Sequence, residues 1–170
     1  VTPKLIERMK RGETIALISD AGTPGISDPG YLLVRQALDE GIEVQSIPGP
    51  SAGVMALTLS GLPMHSYIFK GFPPVKEGPR KRFLAMDADS GHTLVFYESP
   101  YRLLAFLDSA IEVLGDREAA LANDLTKKFE KILRGKMSEI KAWLEQDKIR
   151  GEYVICIEGL SKEALRKQKD

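Results

Sequence analysis

The sequence predicts an α/β protein. Short apolar runs that are typical of buried strands alternate with segments of helical spacing, and loops rich in glycine and proline join them. The clearest case is an apolar run at 15–18, a loop with three glycines at 20–30, and a helical pattern that starts at Tyr31. A strand, a glycine-rich loop and a helix in this order often form a small-molecule site, because ligands bind outside the carboxyl ends of strands.

The loop at 20–30 has the residue types of a ligand-binding loop, but it lacks two common spacings. Glycine allows the backbone to approach a ligand closely, and N–H groups at a helix start attract an anionic group. The loop contains neither Gly-x-Gly-x-x-Gly nor Gly-Lys-Ser/Thr, which excludes the dinucleotide fingerprint and the P-loop. Asp28 and Pro29 also suit the N-cap and first position of a helix, so Asp28 has a structural and a functional interpretation.

The first part of the chain is predicted to contain three helices and two strands. Gly12, Gly41 and Gly61 each follow a helical pattern and are expected to end it. Ser51 is a candidate N-cap of the third helix. In order, the predicted elements are a helix over 1–12, a strand at 14–19, a helix at 31–40, a strand at 43–47 and a helix at 52–60.

The second part continues the alternation. Residues 124–134 are compatible with a strand or a helix, and Ser138 is a candidate cap for a helix that runs through Glu145. The other predicted elements are strands at 67–72, 93–97, 119–122 and 152–157, helices at 77–88 and 101–114, and a charged, helix-prone tail from Ser161.

A break at 61–65 suggests a boundary between two domains. The expected division is residues 1–63, residues 64–160 and a tail at 161–170. The first segment holds only two predicted strands with their helices, which is too little to bury both faces of a parallel sheet. We therefore expect this first domain to be incomplete, with a strand and a helix that precede Val1.

Composition excludes several classes of protein. The 24 basic and 24 acidic residues give a formal net charge of zero, so any contact with nucleic acid must come from local basic runs such as 76–82 and 127–136. No apolar run approaches the roughly 20 residues of a membrane helix, and no secretory signal is visible. The single cysteine, Cys156, stands in an apolar run, which predicts a buried side chain and a reducing, cytoplasmic location. His65 and His92 have no partners at metal-ligand spacing, so no metal is expected.

Three turns, at 20–30, 48–53 and 97–102, are predicted to stand at strand ends and to be followed by helices. Their convergence would form a ligand crevice. In the third turn, Ser99 and Pro100 suit a helix start, while Glu98 faces either solvent or a ligand. The two basic runs are solvated surfaces or, beside such a crevice, groups that bind phosphates.

Seven motifs in a fixed order carry a resemblance that covers nearly the whole chain. They lie at 19–30, 48–52, 60–63, 71–74, 97–102, 125–130 and 151–154. With Ser-Asp-Ala-Gly-Thr-Pro-Gly-Ile-Ser-Asp-Pro-Gly as the first and Leu-Thr-Lys-Lys-Phe-Glu as the sixth, the chain resembles the tetrapyrrole (corrin/porphyrin) methylase superfamily. Within that superfamily it is similar to the members that methylate ribosomal RNA.

The resemblance implies a fold, a cofactor and a reaction. It implies two α/β/α domains of the class III methyltransferase type, which bind S-adenosylmethionine (SAM) in the cleft between them and usually form a homodimer. The implied reaction is 2′-O-methylation of a cytidine ribose in small-subunit ribosomal RNA, in the cytoplasm. By motif position, the implied cofactor-binding residues are Ile26, Asp28, Gly30, Tyr31, Ser51, Ala52, Tyr97 and Thr126.

Two departures from the family pattern stand out. Members normally begin with a strand that ends in a Thr-Pro-Ile-Gly-Asn-Leu loop and later show a Glu-Asp-Thr-Arg segment, and this chain has neither. Asn123, Asp124 and Leu125 stand where the family more often has Arg-Glu-Leu. Aspartate keeps the charge of glutamate but has a shorter reach.

A ribose hydroxyl is a poor nucleophile, so its proton must be accepted during or after attack. Glu98, Lys127 and Glu130 are the candidate catalytic residues. Lys127 acts as a base only if burial or neighbouring cations keep it neutral; otherwise it orients a phosphate or the hydroxyl. Two other readings stay open: methylation of a tetrapyrrole carbon, and a fragment that binds SAM without activity.

Overall fold

The computed structural model describes residues 1–161, and these divide between two compact units. The first unit is Val1–Ser51, and the second begins at Ala52. Most of the predicted charged tail at 161–170 lies outside the described residues. The elements are α1 (Thr2–Lys10), α2 (Tyr31–Asp39), α3 (Ala52–Ser60), β1 (Tyr67–Gly71), α4 (Glu77–Ala85), β2 (Thr93–Glu98), α5 (Leu103–Leu114), β3 (Glu118–Asn123), β4 (Lys131–Lys136), α6 (Met137–Leu144) and β5 (Tyr153–Ile157).

The first unit contains α1 and α2, which pack through buried Ile6 and Ala37. The strands predicted at 14–19 and 43–47 are wrong, because in the described residues neither segment joins a sheet. Ile18 is 84% exposed and Ile47 is 86% exposed. An apolar run predicts a tendency to be buried, but a strand also needs the backbone hydrogen bonds of a neighbour.

The second unit is built on a mixed five-stranded sheet of order β1-β2-β5-β3-β4. Strands β1 and β2 are parallel, whereas the β2–β5, β5–β3 and β3–β4 pairs are antiparallel. The segment at 124–134, ambiguous in sequence, forms a turn followed by β4. Helices and strands therefore alternate as the sequence predicts, with element ends that differ by a few residues.

The register of the sheet decides which side chains share a face. Glu98 pairs with Tyr153, Tyr153 with Asn123, and Asn123 with Lys131. The adjacent row starts at Tyr97, which pairs with Val154. Because successive side chains point to opposite faces of a sheet, Tyr97 and Glu98 lie on opposite sides of it.

Each face of the sheet has its own core. On one face, helices α4, α5 and α6 cover large apolar residues that include Phe96, Phe106 and Leu121. On the other face, α3 packs on small residues such as Ala120 and Ala122. Small side chains on both partners allow the helix to approach the strands closely.

Helix α3 explains why the compact units divide at Ser51 and Ala52 rather than near residue 63. Ala56 and Leu57 of α3 are buried against Val95 and Val154 of the sheet, so this helix belongs to the second unit. The 63/64 boundary between evolutionary domains stays a prediction.

The start of α2 at Tyr31 is confirmed, but three predicted helix caps are wrong. Gly30 is the N-cap of α2, in place of Asp28, and Arg102 is the N-cap of α5, in place of Ser99. Helix α6 begins at Met137, so Ser138 lies inside its first turn. There the Ser138 N–H and hydroxyl donate to the Asp116 carboxylate at 2.9 Å and 2.6 Å. Sequence identified a polar residue at each start, but a partner distant in sequence or a later glycine changed the boundary.

Candidate cofactor and substrate site

Two of the three predicted turns are in contact within the first unit. The Thr23 hydroxyl donates to the carbonyl oxygen of Pro50 at 2.9 Å, which joins the loop at 20–30 to the turn at 48–51. A Cβ at Gly22 would lie 3.5 Å from the same carbonyl. The contact therefore needs the backbone of the loop to come close to Pro50, as the glycine content of the loop suggested.

The loop at 20–30 has a demanding backbone. Ser27 has a φ of 60°, which a residue other than glycine rarely adopts. A Cβ at Gly30 would lie 2.9 Å from the Leu17 side chain, so a larger residue would not fit without a shift. The predicted residues Ile26, Asp28 and Tyr31 are exposed on this loop and at the start of α2. Strained backbone with exposed polar and aromatic groups is common at ligand sites.

In the second unit, Tyr97 is the centre of a cluster that sequence analysis had found only in part. The Gly53 N–H, in the first turn of α3, donates to the Tyr97 hydroxyl at 3.1 Å. The Tyr97 ring makes edge contacts with Phe69 and Phe72, with centroids 5.0 Å and 5.5 Å apart. We call Gly53, Phe69, Phe72 and Tyr97 the tyrosine cluster. Ala52, a predicted cofactor residue, directly precedes Gly53.

Sequence analysis missed Gly53, Phe69 and Phe72. A Cβ at Gly53 would lie 3.3 Å from the Phe69 ring, so glycine allows α3 to approach this aromatic side chain. Phe69 and Phe72 remain 37% and 53% exposed, which leaves part of each ring available to a ligand. The Gly-Phe-Pro-Pro motif at 71–74 was a signal for Phe72, whereas nothing in the spacing distinguished Phe69.

Glu98 does not join the tyrosine cluster. It lies on the other face of the sheet and is only 3% exposed. Its carboxylate accepts the Ser99 N–H at 2.8 Å and forms an ion pair with Arg102 at 2.8 Å. Burial raises the pKa of Glu98, although the Ser99 N–H, Arg102 and Arg80 act in the opposite direction. This geometry supports a structural role in the turn at 97–102 and gives Glu98 no path to a substrate on the Tyr97 face.

Lys127 lies between two carboxylates. Its Nζ contacts Glu152 Oε2 at 2.6 Å and Asp124 Oδ1 at 3.1 Å. Hydrogen bonds to Glu152 and then Asp124 raise the pKa of Lys127. The side chain is 54% exposed and is surrounded by opposite charge, so it is protonated at neutral pH. This geometry therefore contradicts the hypothesis that Lys127 is a neutral base.

The turn that holds Lys127 is braced by its own acidic groups. Asp124 and Thr126 have φ values of 48° and 66°, both in the left-handed region. The Glu130 carboxylate accepts the Thr126 N–H at 2.6 Å, and Asp124 Oδ1 accepts the Glu152 N–H at 3.2 Å. The shorter aspartate at 124 therefore still reaches both Lys127 and Glu152, the residue before β5. Glu152 was missed as a partner, although it stands in the Gly-Glu-Tyr-Val motif at 151–154.

Three further observations limit the chemistry of the described residues. Within 1–161, no group of three or more His, Cys, Asp or Glu side chains is arranged to hold a metal ion. None of the helices in that range has the length and apolarity needed to cross a bilayer. Cys156 is buried as predicted, and burial raises the pKa of its thiol to about 12, so it is a packing residue rather than a nucleophile.

Solved structures show which class of fold this is. The methyltransferase CobJ superposes with a TM-score of 0.67 at 19% identity, over 93% of this chain and 70% of that one. A diphthine synthase gives a TM-score of 0.65 at 15% identity, over 96% and 68%. Uroporphyrin-III C-methyltransferase from Thermus thermophilus, complexed with S-adenosyl homocysteine, gives 0.57 at 23%, over 96% and 73%. The fold is that of these α/β methyltransferases, which confirms the predicted fold class.

The family follows from the sequence comparison. The model of the Tetrapyrrole (Corrin/Porphyrin) Methylases matches residues 1–141, and the chain belongs to this family. Similar proteins named ribosomal RNA small subunit methyltransferase I occur in Halalkalibacterium halodurans (46% identity, 92% of this chain, 54% of that one), Mesorhizobium japonicum (47%, 91%, 53%) and Bacillus subtilis (40%, 98%, 57%). The chain spans about half the length of the curated relatives it matches.

Proposed function

We propose that the protein of which this chain is part transfers a methyl group from SAM to the 2′-hydroxyl of a cytidine ribose in small-subunit ribosomal RNA. The observation that carries the proposal is the 40–47% identity, over more than nine tenths of the chain, to relatives named for that RNA. Motif-level agreement at this identity makes RNA a better substrate candidate than the tetrapyrrole for which the uroporphyrin-III C-methyltransferase, at 23% identity, is named.

The residues present fit the cofactor. SAM supplies a methyl group on a cationic sulfonium, so the protein has to align donor and acceptor and exclude water rather than activate a leaving group. The half-exposed rings of Phe69 and Phe72 suit an adenine ring or the sulfonium. We assign a role in cofactor binding to the tyrosine cluster, Ala52 and Thr126 of the second unit. From their motif positions, the same role is assigned within the first unit to Ile26, Asp28, Gly30, Tyr31 and Ser51.

Lys127 is proposed to orient the RNA. A protonated lysine donates hydrogen bonds to a phosphate or to the ribose 2′-hydroxyl, and its two carboxylate partners hold it in place. Glu130 remains a candidate to accept the hydroxyl proton, because it is exposed and lies in the same turn. Glu98 is no longer a candidate for that role, given its burial.

A methyl-transfer assay with the full-length protein tests the assignment. Tritiated SAM is offered with small ribosomal subunits or with a tetrapyrrole substrate, in separate reactions. We expect label in RNA only, and Lys127→Ala should lower turnover on RNA by about tenfold or more, the loss expected for one positioned polar group. Lys4→Ala, which removes an exposed cation from α1 outside both basic runs, is the matched control.

The results of this assay distinguish the three candidate functions. Label in the tetrapyrrole alone would support a tetrapyrrole C-methyltransferase, which the family name favours as second candidate. If no methyl group is transferred but calorimetric titration with SAM shows binding, the result would support a SAM-binding protein without this activity. Near-normal turnover of Lys127→Ala would remove the orienting role. A homodimer in the cytoplasm is the assembly and location that we propose from the same resemblance.

A further inference from the structure

The second unit has a cavity of about 300 Å³ on the face of the sheet opposite the tyrosine cluster. It lies where β3 ends and where β4 and β5 begin. Asn123, Tyr153 and Lys131, which pair across these three strands, all line it. Leu121 and Leu133 line it from the sheet, and Trp143 and Leu144 line it from α6. We call this cavity the α6 pocket.

The α6 pocket is separate from the candidate cofactor site. Tyr153 and Leu121 belong to the core that α5 and α6 cover, whereas Val154 and Ala122 belong to the core under α3. The thickness of the sheet therefore lies between the pocket and the Tyr97 ring. Of the lining residues, Asp124 also takes part in the site described above, as a partner of Lys127.

Aromatic side chains form two parts of the pocket. The Lys131 Nζ lies 3.4 Å from the centroid of the Trp143 ring, so a cation covers one face of that ring. Phe129, at the mouth of the pocket, is 68% exposed. A large exposed aromatic side chain offers a flat apolar face on which a base can stack.

The loop between α6 and β5 adds positive charge that is free in the described residues. Within 1–161, neither the Lys148 ammonium nor the Arg150 guanidinium forms an ion pair or a side-chain hydrogen bond. The backbone beneath them is held in place. The Arg150 N–H donates to the Tyr153 hydroxyl at 3.2 Å, and the Arg150 carbonyl accepts the Asn123 amide at 3.1 Å. The loop thus presents two cations on an ordered base.

The acidic residues of the pocket are already engaged. Asp124 pairs with Lys127, and Asp147 accepts the Lys148 N–H at 2.7 Å and lies 3.4 Å from Lys131 Nζ. The groups left to meet a ligand are therefore two cations and an aromatic ring. An anion joined to a flat ring matches that set, and a nucleotide is such a molecule.

We propose that the α6 pocket binds one unpaired nucleotide of the RNA substrate, with its base on Phe129 and its phosphate at Lys148 and Arg150. The proposal rests on the proposed function. The turn at 124–130 supports it, because this turn carries both Lys127 and Phe129 and so connects the orienting lysine to the pocket. The pocket would hold a neighbouring nucleotide while the target ribose is presented elsewhere. An acidic peptide is the competing occupant, but it offers no flat ring to Phe129.

Polarisation of a fluorescein-labelled single-stranded oligoribonucleotide, titrated with the full-length protein without SAM, tests the pocket. We expect Lys148→Ala combined with Arg150→Ala to weaken binding about tenfold and to lower the magnitude of the salt slope by about 0.7, the value for one phosphate contact on a single strand. Phe129→Leu should weaken binding about fivefold, the loss of one base stack. All three residues are exposed, so the variants should fold. Lys4→Ala, at an exposed cation outside both basic runs, should leave both affinity and slope unchanged.

A second readout uses Trp143, the only tryptophan of the 170 residues. Its emission, isolated by comparison with Trp143→Phe, should change on addition of the oligoribonucleotide and not on addition of a glutamate-rich peptide of equal charge. The pocket proposal is overturned if the double variant binds like Lys4→Ala, or if the peptide alone changes the emission. If the double variant also methylates RNA with an unchanged KM, only the pocket proposal fails. If the wild-type protein neither binds nor methylates RNA, the proposed function fails as well.

Discussion

Gly151→Ala should lower the free energy of unfolding by more than a substitution in an ordinary surface turn does. Gly151 has a φ of +89° and lies against the Asp124 carboxylate, so a Cβ there would come within 2.7 Å of Asp124 Cγ. That is closer than real Cβ contacts allow, so the carboxylate must move. Asp124 would then lose its hydrogen bond to the Glu152 N–H and its contact with Lys127.

The expected loss has two parts. Placing a residue other than glycine in the left-handed region costs about 1 to 2 kcal/mol. Losing a hydrogen bond from a backbone N–H to a carboxylate costs about 1.5 to 3 kcal/mol. The free energy of unfolding, measured by urea titration followed by circular dichroism, should therefore fall by about 3 to 4 kcal/mol.

Gly12→Ala is the matched control. Gly12 has a φ of +90°, close to that of Gly151, but a Cβ there would meet nothing within 4 Å. This variant has the conformational cost alone, about 1 to 2 kcal/mol, and the same gain from a stiffer unfolded chain. The difference between the two variants isolates the contact with Asp124. Equal losses in both would refute the claim that Asp124 braces the turn at 124–130.

Three further changes have defined outcomes. Because burial raises the pKa of Glu98, the native state binds more protons than the unfolded chain, so stability should fall as pH rises above the unfolded value of about 4.3 towards the raised one. Glu98→Gln should flatten that part of the stability curve, and an unchanged slope would contradict the shift. Cys156, with a thiol pKa of about 12, should resist iodoacetamide at pH 8 until urea is added; equal labelling of native and unfolded protein would contradict its burial. Tyr97→Phe removes the acceptor of the Gly53 N–H and should lower stability by about 1 kcal/mol in a urea titration, whereas wild-type stability would mean that the hydrogen bond contributes nothing.

The sequence predicted the second unit well because local patterns and burial agree there. The apolar run at 153–157 becomes a central strand that is buried along its whole length. The apolar stripe of 103–114 becomes a helix against that sheet, ended by Gly115 as predicted. In such elements, hydrophobic period and turn residues favour the same structure.

The first unit shows the limit of the same reasoning. The run at 15–18 has a strand pattern, yet Ile18 is exposed and no strand forms there in the described residues. Periodicity reports which residues favour burial, but not whether a partner strand supplies the hydrogen bonds. Asp28 and Pro29 suit a helix start by residue type, yet the N-cap of α2 is Gly30, so residue type alone does not determine the cap.

The sequence predicted the residue types of the candidate site, but not the face of the sheet on which each residue lies. Tyr97 and Glu98 are adjacent in a motif, and only the strand geometry separates them onto opposite sides of the sheet. The sequence also could not show that two carboxylates flank Lys127, because Glu152 is 25 residues away along the chain. That pairing changes the expected chemistry of the lysine from base to oriented cation.

The most direct test of the proposed function is whether the protein methylates a ribose of the small-subunit RNA. Ribosomal RNA from cells with and without the intact gene should be digested to fragments, and the fragments weighed by mass spectrometry. We expect one fragment to be lighter by a single methyl group without the gene, with the group located on a cytidine 2′-oxygen when the gene is present. Identical fragment masses in both strains would contradict the proposed function.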